Sequence, residues 1–453
     1  MPSPSSAGAT ASPRRSPFTW LIVKEWRELW AARAWWVMLL ITGPLIGMSF
    51  INAAQIYAEL SGYNGTADGV GEAFSPLLGI WAPTFSTYEL IAAFLFPFVV
   101  IRLVAGDRQS GVLKLELQQD IPPSARILAK TIVLAGGWLV ASVPMLLSIV
   151  LWLRMGGNAY APEIATVIAG HFLNACLTIA VGAAAAAGAE HPATAAIITL
   201  SVTVGTWIVN FFAALHGGWW QSVAAFTPPA MVAQFQRGLI RLDVVLAALL
   251  IVQLGILVGG VWMRLGDTVA RRSAMTAVLI GATGIVIALC TFARTSWDAS
   301  ENRQNSFPET DEAALGAIAQ TAGPLTIEAH FSAEDGRRVE LERAFAKLQR
   351  AMPDVKIRFV ARTSVALYEQ NTEHYGEIIY TLGGKQEVSR IVTAEGVLER
   401  VYSLAGVTPP VEDESEIFRG HPLAVPARHA GTVFYGMWPS VVIGGWIRQR
   451  RAA

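Results

Sequence analysis

The chain has 453 residues, of which 53% are hydrophobic and only 15% charged, with a mean hydropathy of +0.44 and a formal net charge of zero. A soluble domain carries about 25% charge, so this apolar excess, gathered into long uncharged runs, calls for a bilayer and excludes an ordinary soluble protein. Residues 295–428 carry 14 Lys and Arg against 21 Asp and Glu, a net of −7, and the rest of the chain balances them with +7. The basic residues flank apolar runs instead of forming a patch of their own, which argues against a nucleic-acid partner.

The first 17 residues are rich in Ser, Pro and Ala, carry Arg14 and Arg15, and read as a disordered leader. No short apolar run with a cleavage site follows, so a cleaved signal peptide is not expected. In residues 18–33, Phe18, Ile22, Trp26 and Leu29 recur at helical spacing, with Lys24, Arg27 and Glu28 elsewhere. This reads as an amphipathic helix at the membrane interface, or as an early extension of the first span.

About 20 apolar residues in a helix cross the hydrocarbon. Spans are expected at 34–54, 87–106, 131–153, 164–187, 193–214, 244–263, 273–293 and 429–447. The loop 55–86 has Glu59, Asp68 and Glu72 and no Lys or Arg, whereas 102–130 has Arg102, Arg108, Lys114, Arg126 and Lys130. With Arg264, Arg271 and Arg272 in the sixth-to-seventh link and Arg448, Arg450 and Arg451 in the tail, the positive-inside rule puts both termini in the cytoplasm. Arg154, Arg237 and Arg241 run against it.

Between the fifth and sixth spans, Trp219, Trp220, Phe226, Pro228 and Pro229 suggest short helical pieces at the outer interface. Residues 295–428 read as an extracytoplasmic α/β domain inserted between the last two spans. Strands are expected at 324–331, 354–360, 377–382 and 387–392, with Gly383-Gly384 as the hairpin turn. Helices are expected at 336–351 and 394–404. The fold class is therefore an all-α polytopic membrane protein of about eight transmembrane helices carrying one α/β insertion.

No GxxxxGK[ST], HExxH or GxSxG is present, and the seven histidines show no metal-ligand spacing. No catalytic residue and no metal site is expected. Cys176 and Cys290 both fall in apolar runs. His171 and Asn174, three apart in the fourth span, with Asn210 in the fifth and Gln253 in the sixth, are candidates for a polar substrate path. Interhelical hydrogen bonds are the alternative role for the same residues.

The stretch from Asp107 to Lys130 carries an acidic/basic pair (Asp107, Arg108), then Gly111, then Leu113, Leu115 and Leu117. It continues with a Pro123-Ser124 turn, Arg126 and Lys130. In this pattern the chain resembles the ABC-2 type transporter permeases over residues 18–265. The resemblance implies that Asp107, Arg108, Gly111, Leu113, Leu115, Leu117, Pro123 and Arg126 form a coupling helix docked on an ABC ATPase. It also implies that ATP and Mg²⁺ belong to that separate chain, with no cofactor in this one, and that two permease copies work together in the lipid of a bacterial inner membrane. The remainder resembles the auxiliary subunit of gliding-motility-type ABC transporters, on Asn302, Arg303, Ser306, Phe307 and Pro308, Leu325-Thr326-Ile327, Phe331-Ser332, Tyr375-Gly376-Glu377 and Thr393-Ala394-Glu395. The expected organisation is a leader (1–17), an interfacial helix (18–33) and a six-span permease domain (34–265). The seventh span (266–294), a shortened periplasmic α/β domain (295–428) and the eighth span with a basic tail (429–453) follow. The competing expectation is a membrane scaffold or sensor that transports nothing and uses the α/β unit for binding.

Overall fold

A computed structural model describes residues 16–60, 77–112, 118, 121–157, 159, 161–216, 219–236, 239–264, 266–292, 298–300, 307, 309–331, 336–360, 374–410 and 425–452. Its first helix, α1 (Pro17–Ala31), starts at Ser16, whose hydroxyl accepts the Thr19 amide. Pro17 sits in the first turn, where a missing N–H leaves no bond unmade. Ala32 is extended (φ −73°, ψ 122°), so α1 closes before α2 (Arg33–Leu60) opens. α1 is thus a separate helix and not an extension of the first span. It buries Leu21, Glu25 and Leu29, one position round from the expected stripe. The cause is electrostatic: Glu25 turns inward to meet Lys130.

Seven helices among the described residues are long and apolar enough to cross a membrane: Arg33–Ala58, Gly79–Asp107, Pro123–Arg154, Ile164–Gly188, Pro192–Ala213, Leu242–Trp262 and Val269–Cys290. The chain is a helical, multi-pass membrane protein. The second span is longer than expected, because a π-turn at Leu77–Trp81 feeds α3 (Ala82–Phe94). It continues as α4 (Phe96–Ser110) past an irregular residue, Leu95, two before Pro97. The third span divides likewise into α5 (Pro123–Ala141) and α6 (Val143–Arg154), just ahead of Pro144. Proline interrupts the helical ladder at both places. The fourth and fifth spans lie in α7 (Ala161–Gly188) and α8 (Pro192–His216). Short helices α9 (Trp219–Ala224) and α10 (Pro228–Gln236) follow, and then α11 (Leu242–Trp262) and α12 (Val269–Phe292) supply the sixth and seventh. Gly255 lets α11 meet α7: a Cβ there would lie 2.8 Å from the Ala180 carbonyl oxygen.

The expected eighth span is not among the seven. Residues 427–452 form a 3-10 turn, a π-turn (Thr432–Met437) and the final helix Trp438–Ala452, whose uncharged run is cut short by Arg448, Arg450 and Arg451. This segment lies antiparallel along α2. Phe434 fills the space beside Gly47, Trp438 that beside Gly43, and Trp36 that beside Gly445. The Trp438 indole N–H donates to the Leu39 carbonyl (2.8 Å).

Strand β1 (Leu239–Arg241) pairs antiparallel with β2 (Asp298–Ser300), so the chain entering α11 and the chain leaving α12 meet on one face of the bundle. Beyond β2 come a helix the sequence did not announce, α13 (Glu309–Ala322), then β3 (Thr326–Ala329) and α14 (Gly336–Ala351). β4 (Lys356–Phe359), β5 (Ile378–Leu382), β6 (Lys385–Ser389) and α15 (Ala394–Ala405) complete the unit. The sheet order is β4-β3-β5-β6, with β3 and β4 parallel and the other pairs antiparallel. Gly383 and Gly384, at φ 57° and 83°, make the β5–β6 turn in a conformation that a Cβ disfavours. After that turn β6 starts at Lys385, two residues earlier than expected, and it ends at Ser389, three earlier. Leu325, Ile327, Ala329 and Phe331 all point inward, against Phe345, Leu348, Ile378, Tyr380 and Val401, in a core separate from that of the spans.

Candidate functional site

Two polar constellations lie within the helical bundle. The first joins α1, the end of the second span and the start of the third. The Lys130 ammonium is 2.6 Å from Glu25 Oε2 and 2.6 Å from Asp107 Oδ2, and also donates to the Leu103 carbonyl (3.1 Å). Lys24 closes the group from the surface side, 3.2 Å from Glu25, 3.2 Å from Glu28 and 3.5 Å from Asp107. Burial pushes the Glu25 carboxyl above its ordinary range, while Lys130 and then Lys24 pull it back down. The carboxylates of Glu25, Glu28 and Asp107 come within 4.8 Å of one another, a grouping fit for a metal ion. The two ammonium groups supply the positive charge there. Such a cluster is stable only as a set, since losing one partner of a buried ion pair costs about 3–5 kcal/mol.

This geometry revises the expected coupling residues. Asp107 and Arg126 are buried, at 4% and 1% exposure. Asp107 holds Lys130, and Arg126 donates to the Ile121 carbonyl (3.3 Å). Gly111, at φ +76°, turns the chain as α4 ends, and Pro123 opens α5. These four residues shape the two ends of the segment. For Arg108 only the helical backbone is described, and Leu113, Leu115 and Leu117 lie outside the described residues.

The second constellation lies between the second, fourth and fifth spans. His171 is buried and stacks on Phe85 (5.6 Å between ring centres), and its Nε2 is 3.5 Å from Gln236 Nε2. One turn further along both helices, the Asn174 amide donates to Glu89 (3.3 Å). Glu89 and Asn174 line a cavity of about 40 Å³ with Thr178, Thr203, Thr206 and Trp207. Asn210 does not line it. Its amide donates to the Thr206 carbonyl (3.1 Å) and to Thr227 Oγ1 (2.7 Å), tying the fifth span to the chain ahead of α10. Gln253 is exposed on α11 and takes no part. Of the four residues expected along a substrate path, the fold brings His171 and Asn174 together, sets Asn210 behind the cavity wall and leaves Gln253 outside.

No protein-family model, curated protein or solved structure matches the chain. The functional reading therefore rests on the geometry of these two constellations.

Two residues that organise them were not among the candidates. Glu25 had a signal, the Leu21-Glu25-Leu29 spacing that puts a carboxylate in the middle of a buried stripe. Glu89 stands out as the single charge inside an otherwise apolar stretch, a position that marks function in membrane helices.

Proposed function

We propose that the chain is the membrane-spanning subunit of an ABC-2 type transporter, moving substrate with ATP hydrolysed by a separate ATPase. The observation that carries this reading is the Glu25–Lys130–Asp107 cluster. It fastens α1 to both ends of the segment 108–122, so a push on that segment is delivered to α1 and to the second and third spans as one body. Packed elements of this kind transmit rigid-body motion where a loose loop would absorb it. ATP and Mg²⁺ belong to the partner, in keeping with a sequence that lacks a phosphate-binding loop.

The orientation we propose puts both termini in the cytoplasm of a bacterial inner membrane and the α/β domain in the periplasm. Three features support it. The tail runs back along α2 to the level of Trp36, the β1–β2 pair joins the far ends of α11 and α12, and Arg264, Arg271 and Arg272 crowd their near ends. In this arrangement residues 429–447 cross as an eighth span sheltered by α2. The fifth and seventh spans are only 11% and 0% buried, which leaves apolar faces for a second permease copy and for lipid.

The test is purification of the full chain from its native membrane in mild detergent. An ATPase subunit is expected to accompany it, with substrate-stimulated ATP hydrolysis in the complex and none in the chain alone. A chain that recruits no ATPase supports the scaffold reading instead, and one that hydrolyses ATP by itself overturns both. Labelling of Lys385→Cys by an impermeant thiol reagent in intact spheroplasts tests the orientation, and labelling only after lysis reverses it.

A further inference from the structure

We propose that Glu89 and the cavity beside it form a binding site for a monovalent cation inside the helical bundle. The site does not depend on the chain being a transporter. Among the described residues Glu89 has one hydrogen-bond partner, the Asn174 amide, and no ion pair, although it lies in the middle of a membrane-spanning helix. A half-buried carboxyl in such a helix is neutralised either by a proton or by a cation beside it.

The chemistry of the wall says which kind. The Thr178 hydroxyl donates to the Asn174 carbonyl, that of Thr203 to Thr199, and that of Thr206 to Thr203. Each hydroxyl hydrogen is therefore spent on its own helix, and what remains of the hydroxyl is oxygen lone pairs. Asn174 spends an amide hydrogen on Glu89 and keeps its carbonyl oxygen as an acceptor. The lone pairs that these lining residues can offer a cation are thus those of one carboxylate, three hydroxyls and an amide carbonyl, beside the N–H groups of Asn174 and Trp207. Oxygen-only donor sets suit hard cations. About 40 Å³ holds on the order of a few water-sized groups. This fits a partly hydrated alkali ion or the head of a small ammonium compound, and a single carboxylate balances one positive charge.

The experiment uses the purified full-length chain at constant ionic strength, with N-methyl-D-glucamine chloride replaced stepwise by sodium, potassium or methylammonium chloride. A cation bound only by the folded state raises the unfolding temperature along a saturating curve. Wild type is expected to respond to at least one of the three, and Glu89→Gln to respond with at least about tenfold weaker apparent affinity, because it keeps the Asn174 contact and loses the charge. A response to alkali ions alone identifies a metal-ion site, and one to methylammonium alone an organic ammonium site. Direct binding of radiolabelled sodium or methylammonium to Thr203→Val provides the second reading should Glu89→Gln not fold, with affinity expected to fall several-fold. Equal responses of wild type and the variants would overturn the site. So would a wild-type unfolding temperature that changes with pH and with none of these cations, since a proton would then be what neutralises Glu89.

Discussion

Lys130 Nζ lies 2.6 Å from Glu25 Oε2 across 105 residues of sequence, and both side chains are sealed from solvent. The pair makes a short N-terminal helix part of the bundle. Replacing Lys130 with Met removes the buried cation from between Glu25 and Asp107 and leaves them only the half-exposed Lys24. Stability is expected to fall by about 3–5 kcal/mol. Adding Glu25→Gln and Asp107→Asn to Lys130→Met removes the stranded charges and is expected to restore most of that loss. Thermal unfolding of the single and triple variants checks it. Equal destabilisation of the two would mean that packing, not charge, holds α1.

The antiparallel seam between α2 and the closing segment is set by missing side chains. A Cβ at Gly47 would lie 2.3 Å from Phe434 Cβ, whereas at Gly436 nothing stands within 4 Å. Gly47→Leu is expected to lose about 3 kcal/mol or more, beyond the usual 1–3 for overpacking, because the clash falls at the root of the Phe434 side chain. Gly436→Leu is expected to stay within about 0.5 kcal/mol of wild type. A Gly47→Leu protein as stable as wild type would show that the closing segment does not rest on α2.

The α/β unit carries a pH-dependent tie. Glu377 accepts from Arg390 (2.9 Å) and lies 3.0 Å from His374 Nδ1, and these two hydrogen bonds hold its carboxyl below the usual range. A carboxylate whose folded pKa is depressed contributes stability above its unfolded value of 4.5, and that contribution is lost as pH falls through the folded value. Protection from hydrogen exchange at the β5 end of the sheet, taken relative to the intrinsic rate at each pH, is therefore expected to fall in wild type as the pH drops below 4.5. Glu377→Gln should show faster exchange already above that pH, and a flatter profile below it.

Much of the architecture could be read from residue patterns because those patterns are local. The first seven spans follow from apolar runs of about 20 residues, the second of which holds Glu89 and Arg102. The α/β strands follow from alternation such as Leu325, Ile327, Ala329 and Phe331, all of which point inward. Reading failed where tertiary pairing overrides the local pattern. Glu25 belongs on a polar face until Lys130 is placed beside it. Asp107 and Arg126 sit in a stretch that looks exposed, yet both are buried. The β1–β2 pair joins two three-residue strands 57 and more positions apart, too short for periodicity to register. The seam of the closing segment against α2 rests on Gly43 and Gly47, and only the fold sets these beside Trp438 and Phe434. For the candidate path, single polar residues in apolar runs identified His171 and Asn174, but the helix face that each occupies depends on packing. That is why Gln253 fell outside the site and Glu89 inside it.

The last prediction separates coupling from folding. Between Gly111 and Pro122 the sequence carries Leu113, Leu115 and Leu117 on a segment whose two ends are pinned from within by Asp107 and Arg126. Three leucines in a link with no apolar run of its own are an invitation to a partner surface. Leu115→Asp is therefore expected to weaken co-purification of the proposed ATPase partner by about 1–3 kcal/mol, the cost of an unpaired polar group in an interface. This corresponds to roughly 5- to 150-fold in affinity, with the unfolding temperature unchanged. Asp107→Asn should do the reverse, lowering stability through the Lys130 cluster while an ATPase that still finds the folded protein binds as before. Quantitative pull-down and thermal unfolding on the same two variants resolve the pair of effects. If Leu115→Asp retains the ATPase and transports normally, the segment 108–122 is not the docking element. If Asp107→Asn abolishes docking at wild-type stability, the buried carboxylate reaches the partner after all and the division between outer contact and inner anchor fails.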